Sequence, residues 1–308
     1  MLLVAKFNQR YHHTGGALLA ALTALGCEAA GCEERTRGLD ALLRRTFEHR
    51  LADALRRHRP DLVLVFKGAR LDGPLLERLR GQTRARWANW FPDDPHLLDL
   101  SLTLSPLYDR FFTHDSSSVS RHISAGAHAH YLPFGVDPDR FAPLEPGPEW
   151  RAPVTFVGTR DLERAAAAAV LQPLGFRAWG PGWSGRPVYG DDYLAALSGG
   201  TVALNVHKNF ADSPPREGYG TGANMRVFEL AALGRPQISD AKADITRHFR
   251  DGEEIVFYRT LEDLDGLARE LLADPERRAA LGAAARRRVL AEHTWRHRLD
   301  ELLREAMG

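Results

Sequence analysis

Cysteine is nearly absent: Cys27 and Cys32 are the only two in 308 residues. Their spacing, with no second pair, fits neither a zinc ribbon nor a disulfide framework. Long hydrophobic runs are also missing, and nothing approaches the roughly 18 apolar residues that mark a membrane-spanning helix. Met1 leads straight into LLVAKF without a basic segment, so no signal peptide is expected. The expected location is cytoplasmic, with peripheral contact at the inner membrane face as an alternative. Neither charge dominates: 41 basic residues stand against 40 acidic ones, a net charge of +1. No field of that size holds nucleic acid, so any phosphate binding must come from local clusters. Repeats and low-complexity tracts are absent as well.

What remains is a chain that is 44% hydrophobic and 26% charged, long enough for two cores of ordinary size. The stretch APLEPGPEWRAP, 142–153, packs four prolines and a glycine into twelve residues. It is read as a linker between a first domain, 1–141, and a second, 154–308. Asp137-Pro138-Asp139 just before it has the spacing of a D-x-D metal motif. Among prolines it is read as a turn, and no metal is expected.

In the first domain, strands are expected over 2–7, 61–66 (DLVLVF), 84–91 and 107–114. Leu39, Leu43, Phe47, Leu51 and Leu55 recur at every fourth position and mark an amphipathic helix. Gly15 and Gly16 open the helix after the first strand, which is how an open parallel α/β sheet begins; His12 and His13 lie in the loop before them. Lys67 closes the second of these strands. Asp93 and Asp94 end the third, either as carboxylates that meet hydroxyls or act as a base, or as the cap of a proline-flanked turn. His114 ends the fourth.

In the second domain the strand over 154–157 runs into Gly158-Thr159-Arg160, with Arg164 one turn later. Two guanidiniums at that spacing lie over a helix start, where a diphosphate can be held, although surface arginines abound here. Trp183 and Tyr189 stand in a glycine-rich loop, either to hold a base or simply to pack. Thr201 to Val206 forms a further strand, followed by His207 and a long polar loop. Gly218, Gly220 and Gly222 then lead into Asn224 and the helix of Met225, Phe228, Ala231 and Ala232. A glycine-led helix N-terminus exposes amides to an anion, and Arg226 adds a positive fork. Glu229 lies about 7 Å further along the axis, within reach of a ribose whose phosphates sit on the helix start. The plainer reading is a mobile loop and a helix with one exposed Glu. Arg286 to Arg288 are read as a solvated helix face, with contact to anionic lipid as the alternative.

NMRVFELAALGRP, EIVFYRTLEDL and AEHTWRHR resemble the C-terminal half of the GT-B glycosyltransferases of group 1 (GT4-like), and within them the CgeB-type spore-protein family. The resemblance implies an α/β fold of GT-B type: two Rossmann-like parallel-sheet domains facing across a cleft, with the terminal helix packing back across the linker. It implies transfer of a hexose from a nucleoside diphosphate sugar to an acceptor hydroxyl, with retention and with neither metal nor cofactor. The donor is then held by Gly15, Gly16, Gly158, Arg160, Arg164, His207, Gly222, Asn224, Arg226 and Glu229, while Asp94 and His114 take the catalytic, sugar-facing side. Glu229 falls on the second Glu of the family's E-x7-E motif. Thr221 stands where the first belongs, which favours the alternative of a catalytically inactive nucleotide-sugar-binding protein. A two-lobed solute-binding protein and a sugar epimerase are further rivals. The acceptor, whether glycan, lipid, protein or small molecule, is left open.

Overall fold

The computed structural model describes residues 1–7, 14–34, 46–184, 186–207 and 220–308. By contacts the chain divides into a unit made of Met1–Pro133 with Trp295–Gly308 and a unit made of Phe134–Thr294. The division comes ahead of the proline-rich 142–153 segment, and the terminal helix belongs to the first unit.

In the first unit the described elements run β1 (Leu2–Ala5), α1 (Thr14–Ala24), β2 (Ala30–Glu33), α2 (Phe47–His58), β3 (Leu62–Phe66), α3 (Gly73–Arg80), β4 (Arg86–Phe91), α4 (Leu98–Leu104), β5 (Arg110–Thr113), α5 (Val119–Ser124) and β6 (Ala129–Tyr131). All six strands are parallel, in the order β2-β1-β3-β4-β5-β6. Every residue of β1 and β3 is buried, as expected of apolar runs covered on both faces. The Leu stripe expected for α2 appears as buried Phe47, Leu51 and Leu55; Leu39 and Leu43 lie outside the described residues. Thr46 caps that helix by accepting from the His49 amide. Strands β2 and β6 were not expected. At four and three residues, AGCE and AHY, they carry too little periodic signal and are defined by pairing with β1 and β5.

The second unit contains β7 (Ala152–Val157), α6 (Leu162–Leu171), β8 (Phe176–Trp179), α7 (Gly190–Ser198), β9 (Gly200–Asn205), α8 (Met225–Ala232), β10 (Gln237–Asp240), α9 (Ala243–His248), β11 (Val256–Tyr258), α10 (Leu261–Ala273) and α11 (Pro275–Glu292). Its parallel sheet runs β8-β7-β9-β10-β11. Relative to the first strand of each unit, this order repeats β2-β1-β3-β4-β5. The chain therefore reverses direction across each sheet between its first and third strands, and ligands of open α/β sheets bind at the carboxyl ends flanking such a reversal. Val154, Phe156, Leu204, Ile238, Leu264, Leu271 and Leu281 form the core beneath. Both α10 and α11 carry caps that are legible in the residues, Thr260 with Asp263 as a capping box and Asp274 ahead of Pro275.

The terminal helix, α12 (Trp295–Met307), packs within the first unit. Trp295 meets Trp90 edge to face at 5.6 Å, and Arg86 and Arg110 donate to the carbonyls of Ala306 and Glu305.

Candidate functional site

In the second unit, β7 and β9 are the strands on either side of the reversal. Gly158, just past β7, leaves its space to its neighbours: a Cβ would stand 2.8 Å from the Arg226 guanidinium and 2.9 Å from the Phe156 ring, so one of them would have to shift. Gly180, at φ +130°, also lies against the Gly158 carbonyl too closely for a Cβ. Trp183 donates its indole N–H to that same carbonyl at 2.9 Å and sets its ring 6.0 Å from Phe156. The guanidiniums of Arg226 and Arg164 lie 5.0 and 5.3 Å from the Phe156 centroid, and that of Arg160 lies 5.7 Å from Trp183. Three cations are thus gathered on two aromatic rings. Trp183 packs and carries Arg160.

Arg160 is exposed, whereas Arg164 is buried. Arg164 grips the Val206 carbonyl through Nε at 3.2 Å and Nη2 at 2.9 Å, and donates through Nη1 to Thr159 O at 2.9 Å. Burial, followed by the like charge of Arg226, brings its pKa down to about 10, so it remains a cation at neutral pH. The expectation that Arg164 meets a diphosphate is therefore corrected. Its donors brace the loop after β7 against the end of β9.

Asn205, the fully buried last residue of β9, accepts through Oδ1 from Asn224 Nδ2 at 3.0 Å and from Arg226 Nη1 at 3.2 Å. Its own amide donates to Ser239 Oγ at 3.0 Å. Asn224 caps α8 by accepting from the Val227 amide at 3.1 Å. Its backbone N–H goes to His207 Nε2 at 3.1 Å, while His207 Nδ1 lies 2.6 Å from Asp240 Oδ1. A nitrogen that accepts an N–H carries no proton, so His207 is the neutral Nδ1–H tautomer and donates to Asp240. Burial works to raise the Asp240 carboxyl, but the hydrogen bonds from the His207 ring and backbone N–H, together with the charge of Lys242, outweigh that and hold it below its ordinary range. His207, only 6% exposed, therefore fixes the loop to the helix start and does not reach outward as expected. The Asn224 amide is committed with it. The first-turn amides of Met225 and Arg226 have no intrahelical acceptor and point along the positive end of the helix dipole.

Gly220, at φ +64°, and Gly222 enter the helix as expected. Between them Thr221 donates from Oγ to Asp244 Oδ2 at 3.0 Å, and Asp244 returns its amide to Thr221 O at 3.1 Å. Gly218 lies outside the described residues. Glu229 is buried and accepts through Oε2 from the Tyr193 hydroxyl at 2.6 Å. Burial and the charge of Glu229 keep the Tyr193 proton in place well above its usual range. The far end of α8 is held by α11: Gly282 packs on Gly234 where a Cβ has no room, and Arg286 donates to the Ala232 carbonyl. Arg288 pairs with Glu254 and Glu292, so two of the three arginines read as a solvated face are engaged within the protein. Asn205, Tyr193 and Asp240 were not among the expected site residues.

The first unit sorts its candidates differently. Asp94 is 1% exposed; Oδ1 accepts from Ser101 Oγ at 2.5 Å and Oδ2 lies 2.9 Å from His122 Nε2, whose Nδ1 meets Ser105 Oγ at 2.9 Å. Both oxygens of Asp94 are thus engaged inside the first unit, unlike the sugar-facing placement expected of it. Its neighbour Asp93 turns outward and pairs with Lys67. His114 follows β5, largely buried. Gly15 has a packing reason, since a Cβ would sit 2.7 Å from the Lys6 carbonyl; Gly16 is exposed. His12 and His13 lie outside the described residues. A cavity of about 570 Å³ lies at the opposite, amino ends of β1 and β3, lined in part by Met1, Cys27, His58 and Leu303. In the second unit, Asp137 Oδ1 accepts from the amides of Asp139 and Arg140, the turn expected of that triplet. Among the described residues no helix is long and apolar enough to cross a membrane.

Two parallel-sheet α/β units, the second with an arginine-lined reversal and a glycine-led, capped helix, define the GT-B glycosyltransferase fold. Residues 160–304 match the family model described as Glycosyl transferase-like. No curated protein sequence matches the chain. Among solved structures, a sucrose-phosphate synthase from Thermosynechococcus elongatus is similar with a TM-score of 0.66 at 15% identity, covering 99% of this chain and 98% of that one. HepE of Anabaena, in complex with UDP-glucose, is similar with a TM-score of 0.66 at 10% identity, covering 99% of both chains. A glycosyltransferase involved in avilamycin A biosynthesis is similar with a TM-score of 0.65 at 15% identity, covering 99% of this chain and 96% of that one. At such identities the likeness shows the fold.

Proposed function

We propose that the protein is a glycosyltransferase that moves a hexose from a nucleoside diphosphate sugar to an acceptor hydroxyl, with retention and without a metal. The observation that carries this reading is the placement of Glu229 on α8, just beyond a helix start flanked by Arg226 and next to the Arg160 loop. Arg160, Arg226 and the first-turn amides of α8 supply fixed positive charge to a diphosphate, and Glu229 supplies acceptors for a ribose. As the glycosidic bond breaks, negative charge grows on the departing diphosphate. Donors already aimed at it stabilise that charge more in the transition state than in the ground state. His114 is kept as the first unit's candidate for the transfer step, and Asp94 is not. The fold of a UDP-glucose-bound relative and the match over 160–304 support the reading, and the kinship with CgeB-type proteins is part of it.

Thr221 favours a second reading. Its hydroxyl is turned to Asp244 at the position where the family's first motif Glu belongs, which suits a protein that binds a nucleotide sugar and does not turn it over.

Calorimetric titration with UDP, GDP, ADP and dTDP, repeated on Glu229→Ala, tests the site. One diphosphate should bind and lose its affinity in the variant; no binding to any of them would sink both readings. Release of free sugar or transfer from the matching donor then separates the enzyme from the binder.

A further inference from the structure

His207 ties the end of β9 to the neighbouring strand and to the start of α8. Its ring spans two partners: Nδ1 donates to Asp240 Oδ1 at 2.6 Å, and Nε2 accepts the backbone N–H of Asn224 at 3.1 Å. The His207 amide reaches the same carboxylate, 3.2 and 3.3 Å from its two oxygens. Asn224 in turn caps α8 and shares the Asn205 Oδ1 acceptor with Arg226. The imidazole, the helix cap and the Arg226 guanidinium are therefore one connected set.

A second proton on the ring breaks one of these bonds and spares the other. An imidazolium keeps its bond to Asp240 but has no lone pair left, so Nε2–H faces the Asn224 N–H, donor against donor. The Asn224 amide, deprived of its acceptor, has to turn away, and the cap and Arg226 shift with it. The charged and titratable groups around the ring come from several elements. Arg164 of α6 holds the Val206 carbonyl, Arg226 of α8 holds Asn205, and Asp244 of α9 holds Thr221. Tyr258 of β11 pairs with Asp240 in the sheet, and Lys242 lies close enough to act on Asp240 by its charge. Arg164 stays a cation, the Asp240 carboxyl is held low and burial pushes the Tyr258 phenol up, so these three keep their charge state near neutrality. Histidine is the side chain that ordinarily titrates between pH 5 and 8.

We propose that His207 is a positioning residue for the diphosphate: neutral, it holds the start of α8 in its binding geometry, and protonated, it releases that start, so that acid weakens donor binding. This rests on the nucleotide-site reading above. A ring that merely stood beside the ligand would do the opposite, because its new positive charge would attract a diphosphate and acid would strengthen binding. The sign of the pH effect separates the two, and the commitment of Nε2 to Asn224 selects the first. By reciprocity, a ligand that prefers the neutral ring expels a proton when it binds.

The test is calorimetric titration with UDP-glucose, or its counterpart for whichever base binds, from about pH 8 down to about pH 5.5. A sugar diphosphate has no terminal phosphate, so the ligand lacks the ionisation near pH 6 that such a group brings. Affinity should fall by about tenfold or more, and titrations in buffers of different ionisation enthalpy should show protons released. In His207→Gln, whose amide oxygen can accept from Asn224 but takes up no proton, the pH dependence and the proton release should both vanish. Affinity that is flat or rises on acidification, or a pH dependence that survives in His207→Gln, would overturn the inference while leaving the nucleotide site standing. Should His207→Gln fail to fold, Asp240→Asn decides: without the carboxylate that partners the imidazolium the midpoint should move to lower pH, and an unmoved midpoint overturns the inference equally. Failure of every nucleoside diphosphate and of its sugar to bind at the upper pH overturns the site reading and this inference with it.

Discussion

The guanidinium of Arg226 occupies the space that a side chain at residue 158 would need: a Cβ on Gly158 would lie 2.8 Å from its Nη2. Gly158→Ala should therefore push Arg226 off the Phe156 face and out of its bond to Asn205. The expected result is a diphosphate affinity lower by about tenfold, the equivalent of one charge-assisted hydrogen bond. The melting temperature should fall only modestly, because the long, half-buried Arg226 can move aside while the buried Phe156 ring must give slightly.

Arg160 and Arg164 should separate cleanly. Arg164→Met leaves the Val206 and Thr159 carbonyls without their donor, at about 1–3 kcal/mol for each buried group, and should lower stability in chemical denaturation. Arg160→Ala, on an exposed side chain, should change stability by no more than about 0.5 kcal/mol yet weaken diphosphate binding. The reverse pattern would overturn the assignment of Arg164 as a brace.

Asp240 gives a pH signature. Its carboxyl is held below the ordinary value in the folded chain, so the unfolded state binds more protons on acidification. The stability it contributes is fully present above the unfolded value, about 3.9, and is lost as pH falls through the lower folded value. Asp240→Asn should thus be less stable than the unaltered protein at pH 7, by about 1.5–3 kcal/mol for a hydrogen bond to a charged group. The gap should shrink below about pH 4. Denaturant titrations at pH 7 and pH 3.5 check this.

Asp94 and Asp93 should behave as opposites. Asp94→Ala strands the buried His122 and Ser101, and breaking such a pair costs about 3–5 kcal/mol; Asp93→Ala removes only a half-exposed ion pair with Lys67 and should cost about 1 kcal/mol or less. Diphosphate binding should be unchanged in both, provided Asp94→Ala is assayed under conditions where it remains folded.

Much of this was legible in the residues. The buried strands announce themselves as apolar runs, Asn224, Thr260 and Asp274 as caps, and the glycine-led helix as an anion site, because those signals are local. What escaped was set by partners far along the chain. Arg160 and Arg164 are alike at their spacing; only the Val206 carbonyl, 42 residues on, decides that Arg164 turns inward. Asp93 and Asp94 are adjacent, and the packing of His122 chooses which is buried. His207 read as an outward ligand because Asp240, from a different strand, is invisible to any local pattern. Tyr193 lies on a helix that no clear stripe betrays, and its importance appears only when Glu229 is found beside it.

The return of α12 to the first unit bears on how the protein is made. Trp295 is one of the rings packed on Trp90, so on the ribosome the first unit emerges early and waits for nearly the whole chain before its last helix arrives. The second unit is one uninterrupted stretch, 134–294, and can close as soon as it clears the exit tunnel. The half translated later should fold first: in nascent chains arrested with residue 294 just outside the tunnel, protease should spare the second unit and cut the first.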